Sequence, residues 1–204
     1  MLRIGTWGSA ESVDVVACGW SDGGPGHLET GTKLIYGTAG PVPELPGLRI
    51  GSRAARNAEE IARALSQGMD VVITAPGCCP AAPVVAAGIW HYGWTRGDLG
   101  ALAGATVAGL ALAAQPGPCV VEICRDGRSS IDGDVTEAAV RACLAAHFSG
   151  GRYRTPEVTV PLESVRLSQE APSRIRIAPA RAPHRSTQEI DGVGQRYEGC
   201  PHSW

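Results

Sequence analysis

The sequence predicts an α/β fold: a mainly parallel central sheet flanked by helices, with additional C-terminal strands. Three observations lead there. Ala54–Gln67 places Ala58, Ile61, Ala62 and Leu65 at helical spacing, with Glu59, Glu60 and Arg63 elsewhere on the wheel. Val71-Val72-Ile73-Thr74 is a continuous β-branched run, apolar on both faces, as suits a central parallel strand. Later in the chain, Val158–Val160, Ser164–Leu167 and Arg174–Ile177 alternate as strands do.

Taken in order, Leu2–Gly5 reads as an opening strand and Val13–Cys18 as a second. Gly23-Gly24-Pro25-Gly26 breaks the chain, and the Pro- and Gly-rich stretch Thr38–Pro46 is irregular. Leu48–Ile50 reads as a short strand. Gly68 is placed to cap the helix over Ala54–Gln67. Helix, glycine and buried strand together make half of a βαβ unit. The loop Ala75-Pro76-Gly77-Cys78-Cys79-Pro80 follows, then a helix from about Ala81 to His91 that stops at Gly93, with Pro80 and Pro83 suited to its first turn. Asp98 is placed to N-cap the next helix. Cys119–Cys124 is a strand, Asp126-Gly127 a turn and Val135–His147 a further amphipathic helix. Residues 1–178 read as a single domain and residues 179–204 as an irregular tail.

Composition bounds the function. The 204 residues carry a net charge of −2 and are 44% apolar, enough chain for a substantial core. No basic stripe is present, so no nucleic-acid partner is expected. The apolar run Leu99–Gln115 falls short of the ~20 residues of a membrane span, and the N-terminus lacks the pattern of a secretory signal; a cytoplasmic, non-membrane protein is expected. The seven cysteines are odd in number and irregularly spaced, without a CxxC pair, which favours reduced thiols over a disulfide framework or zinc ribbon. Lys33 is the only lysine, so a Schiff base would have to form there. No cofactor and no metal are predicted.

In parallel α/β sheets, ligands bind at the carboxyl ends of strands. The loop after Thr74 would lie at such an end and lead into a helix whose first N–H groups are free to hold an anion or oxyanion. Thr74, Ala75 and Gly77 are therefore candidate substrate-binding residues, and Thr106, in the helix after Asp98, is a further candidate. Cys78 and Cys79 are candidate catalytic residues, because the same dipole and donors would stabilise a thiolate. Nucleophile, thiol ligand and redox pair are the functional alternatives, and packed inert thiols the structural one. His27, after a Gly-rich loop, and Glu122, inside an apolar strand, are candidate proton partners. His91 stands roughly 15 Å along the helix from Cys79, too far to pair with it. Cys200-Pro201-His202 offers two metal ligands in a terminal tail.

The run Asp70-Val71-Val72-Ile73-Thr74, the helix to Tyr92-Gly93-Trp94, then Asp98-Leu99 and Ala103-Gly104-Ala105-Thr106-Val107-Ala108-Gly109 resemble the AtuA-like, acyclic terpene utilisation family. Similarity continues through Val121-Glu122 to Asp126-Gly127, Val135-Thr136-Glu137, Tyr153-Arg154-Thr155-Pro156-Glu157-Val158, Val165-Arg166-Leu167 and Arg174-Ile175-Arg176-Ile177. The resemblance implies a link to branched, terpene-derived acyl-CoA compounds. Two departures stand out. Family members carry a long stretch between the opening strand and the first helix that is absent here. Their loop after the Val-Val-Ile-Thr strand has Gly-Arg and an Asp, and a His where this chain has Leu110. The leading expectation is a small enzyme, of lyase or hydrolase type, acting on an acyl or carbonyl substrate of specialised metabolism. The alternatives are a non-catalytic subunit, whose small-residue Leu99–Ala114 helix would pack against a second copy or a partner chain, and a thiol-based metal or redox site.

Overall fold

The computed structural model describes residues 2–7, 15–19, 33–37, 49, 55–74, 78–113, 115 and 118–178. In chain order these form β1 (Leu2–Trp7), β2 (Val15–Gly19), β3 (Lys33–Gly37), α1 (Ala58–Ser66), β4 (Val71–Thr74), α2 (Ala82–Tyr92), α3 (Leu99–Ala113), β5 (Val120–Ile123), β6 (Ser129–Asp132), α4 (Glu137–His147), β7 (Arg152–Arg154), β8 (Thr159–Pro161), β9 (Arg166–Ala171) and β10 (Arg174–Ala178). Strands β7 and β8 pair as a separate two-stranded ribbon; the others form one sheet in the order β4-β3-β2-β1-β5-β6-β10-β9.

The sheet is antiparallel, not mainly parallel. Only β3 and β4 run in the same direction, with α1 crossing between them. Every other pairing in the sheet is antiparallel. Connection length is the physical reason. Residues 124–128 join β5 to β6, and two residues join β9 to β10. Such links close hairpins, whereas a parallel pair needs a crossover of a dozen or more residues. Strand β4 is also at the edge of the sheet rather than its centre. Backbone bonds from the chain leading into α1 cover that edge: Asp70 N–H donates to Arg49 O at 2.8 Å, and Ala55 N–H to Ile73 O at 2.8 Å. The edge is therefore not left open for another strand to pair with.

The helices form one layer on one face. Helix α1 packs on β4, α2 on β1, α3 on β5, β6 and β10, and α4 on β9, and each helix touches the next. The strands show the matching alternation. In β5, Val121 and Ile123 are buried and Glu122 turns the other way; in β10, Ile175 and Ile177 are buried while Arg176 is exposed. Over β5 and β10 one face is thus core and the other polar, as antiparallel sheets allow.

Local chemistry sets the helix ends. The Asn57 side chain accepts from Glu60 N–H at 2.9 Å, and Glu60 Oε2 accepts from Arg56 N–H at 2.8 Å, a reciprocal arrangement close to a capping box. Burial of Ile61 and Leu65 stabilises α1 by about 1.5–3 kcal/mol each. Gly93 ends α2 at φ 70°, a left-handed turn that suits glycine. Asp98 does not cap α3 with its side chain. Its Oδ2 accepts from Thr95 N–H and Oγ1 at 2.7 and 2.8 Å, which holds its carboxyl below the usual range.

Helix α3 is buried over Ala101–Leu112 within its own chain. The small residues proposed for a second subunit are thus already covered. A Cβ at Gly104 would lie 2.2 Å from Gly127 O, and one at Gly109 would lie 2.7 Å from Ala81 Cα. The glycines let α3 approach the β5–β6 turn and the start of α2.

The expected strands near Val13–Cys18, Val158–Val160 and Ser164–Leu167 appear with shifted ends as β2, β8 and β9. Arg49, in the middle of the expected strand Leu48–Ile50, belongs to no strand. The expectations for Thr38–Pro46 and the 179–204 tail fall outside the described residues.

Candidate functional site

Cys78 and Cys79 stand where the chain, leaving the carboxyl end of β4, turns into α2. Both are partly buried. Cys78 Sγ donates to Arg56 O at 3.5 Å, on the turn that leads into α1. Cys79 Sγ lies 3.1 Å from the hydroxyl of Tyr153 on β7. Tyr153 is in turn wedged against the rings of Phe148 and His147, at 5.7 and 6.4 Å between centroids. The strand-to-helix turn, the α1 start and the β7–β8 ribbon therefore converge on two adjacent thiols.

Glu157 joins this cluster from the other side of the α1 turn. It is 4% exposed, and its Oε1 accepts from Ala58 N–H at 3.2 Å. Thr155 fixes the turn that carries it, its Oγ1 accepting from Glu157 N–H at 3.2 Å and from Val158 N–H at 3.0 Å. A carboxylate at the first N–H groups of a helix is favoured by their partial positive charge.

Electrostatics corrects the expected thiolate. Burial pushes the Cys78 thiol up to about 12, aided by the neighbouring Cys79 and the carboxylates of Glu157 and Glu60. Burial also raises Cys79, although the Tyr153 hydroxyl and the Ala81 and Ala82 N–H groups act the other way. The helix-start donors are present, then, but lost solvation outweighs them. Burial thus favours the S–H form of both thiols.

The other predicted residues divide sharply. Thr74 is buried at the end of β4, on the same end as the thiols. Thr106 is fully buried inside α3, and its Oγ1 donates to Leu102 O at 2.8 Å, which commits it to its own helix. Glu122 turns to the sheet's polar face, where it meets Arg3 at 3.2 Å and Arg174 at 2.9 Å. The helix layer holds the thiols on the opposite face, so the structure separates Glu122 from Cys78 and Cys79. Ala75, Gly77, His27, Cys200 and His202 lie outside the described residues. Among the described residues no group of three His, Cys, Asp or Glu is arranged to hold a metal, and no helix is long and apolar enough to cross a membrane.

Sequence reasoning missed Tyr153 and Glu157 as site residues. They are more than seventy positions from Cys79, and nothing local marks a strand tyrosine or a turn glutamate as inward-facing. The one usable signal was Thr155-Pro156-Glu157 ahead of Val158, a polar turn entering an apolar strand.

Residues 50–114 match the family model described as acyclic terpene utilisation family protein AtuA. Over that stretch, which holds α1, β4, α2, α3 and both thiols, the chain is similar to that family as a partial or divergent relative. No curated protein and no solved structure matches.

Proposed function

We propose that this chain binds and transforms a small acyl or carbonyl compound of branched, terpenoid type at the turn between β4 and α2. The carrying observation is the 3.1 Å pair between Cys79 Sγ and Tyr153 Oη. Support for the substrate class comes from the stretch similar to the acyclic terpene utilisation family. Within this pair one group donates to the other, so one S–H or O–H is left to donate to a substrate beside the first turn of α2. Neutral donors of this kind polarise a carbonyl and stabilise the charge that develops on its oxygen during acyl chemistry. The role assigned to Cys79 is thus hydrogen-bond donor and acid, with Thr74 at the same end of β4. Cys78 lines the same turn.

The reading is tested with the purified chain and a set of branched acyl thioesters, 3-methylbutanoyl-coenzyme A among them, followed by mass spectrometry. Cys79→Ala and Tyr153→Phe are each expected to lower kcat/KM about a hundredfold, the usual cost of one oxyanion donor. Turnover by both variants at the wild-type rate would remove Cys79 and Tyr153 from the reaction.

A further inference from the structure

We infer that the cleft between α1 and the turn joining α2 to α3 is a binding site for a small anionic amphiphile, with Arg63 meeting its anionic head. The cleft has a volume of about 440 Å³, within the roughly 300–1,000 Å³ of small-molecule sites. Its apolar wall is made by Ile89, Trp94 and Leu102, and its charged rim by Glu59, Arg63 and Arg96. Glu157 also lines it.

The wall is held in place. A Cβ at Gly88 would lie 1.9 Å from the Trp94 ring, so the ring occupies the space that glycine leaves. Trp94 Nε1–H donates to Arg125 O at 2.9 Å, which pins its other edge. Trp94 is 6% and Leu102 1% exposed, so an apolar chain would meet chiefly the half-buried Ile89 on a backing that is already ordered, and little entropy is lost in forming the contact.

Charge accounting selects the head group. Arg96 grips Glu59 through two parallel bonds, Nε to Oε1 at 2.6 Å and Nη2 to Oε2 at 2.8 Å. Glu157 is held by the N-terminus of α1. Arg63 is exposed and has no carboxylate partner among the described residues. It is the lining arginine without a salt bridge among the described residues, and its planar donors suit a carboxylate. The inference rests on the cleft residues alone and stands whatever reaction occurs at Cys79.

The test is calorimetric titration of the purified chain with octanoate, octan-1-ol and octylammonium. Octanoate is expected to bind saturably and more tightly than the alcohol. Arg63→Ala should weaken it about tenfold, the scale of one charge-assisted contact, and Arg63→Glu should weaken it further. Arg128→Ala, which alters an exposed arginine paired with Asp126, should leave the affinity unchanged. Arg63 is exposed, so its variants should retain the wild-type circular dichroism. Absence of saturable octanoate binding, equal effects of the Arg63 and Arg128 variants, or preference for octylammonium would each overturn the assignment.

Discussion

The two adjacent cysteines illustrate how burial and local donors compete at a single residue. A cysteine at a helix start is commonly activated, because N–H groups and the helix dipole favour the thiolate. Here Ala81, Ala82 and Tyr153 do favour the charged form of Cys79, yet desolvation wins, and at Cys78 the nearby carboxylates add to it. The titration also couples to stability. Each folded-state value is raised above the ordinary thiol value of 9.0, so the folded state holds its proton more tightly than the unfolded chain. The associated stability is complete below about pH 9 and is lost as pH climbs toward about 12. Buried Cys119 and partly buried Cys143 shift the same way. Urea denaturation should show a fall in stability as pH rises above about 9 toward about 12, shallower in Cys78→Ala. Constant stability over that range would contradict the assignment of these thiols as buried and neutral.

At the scale of elements, α3 separates close packing from recognition. Its run Ala103-Gly104-Ala105-Thr106-Val107-Ala108-Gly109 belongs to the stretch similar to the acyclic terpene utilisation family, and the structure gives those glycines a mechanical reason. Gly104 faces the backbone of Gly127, which cannot swing aside. Gly104→Ala should therefore destabilise the fold by about 1–3 kcal/mol. Gly100, in the same helix, faces nothing within 4 Å, and Gly100→Ala should be neutral or stabilising by up to about 1 kcal/mol. Urea midpoints of the two variants read the difference directly. Equal midpoints would mean that α3 does not approach the β5–β6 turn as closely as described.

For the whole molecule, the legible parts of the sequence were local. Helix α1 stood out through its periodicity and Gly68, although it starts after Asn57 rather than at Ala54; α2 stood out through Pro83 and Gly93, and the β5–β6 turn through Asp126-Gly127. The sheet's direction was misread because Val71–Thr74 is apolar on both faces although it lies at an edge. Its outer side is covered by Arg49 and Ala55, not by another strand, and periodicity cannot distinguish the two kinds of cover. The hairpin connections at Asp126-Gly127 and Pro172-Ser173 did carry the antiparallel signal, as did the alternation of Glu122 with Val121 and Ile123. The start of α2 was legible as a place; its partners were not. Tyr153 and Glu157 reach it through the β7–β8 ribbon, and Glu122 leaves it through the alternation of β5. Both facts depend on which way a strand faces, which long-range pairing decides.

The central claim is that Cys78 and Cys79 form a partly buried pair of neutral thiols tied to the α1 turn and to Tyr153. Alkylation by limiting iodoacetamide, quantified by peptide mass spectrometry across pH, tests it most directly. The account predicts that both thiols label far more slowly than a free cysteine near pH 7, with Cys78 still climbing in rate above about pH 10. Rapid, selective labelling of either thiol near pH 7 would show an activated thiolate and contradict the account.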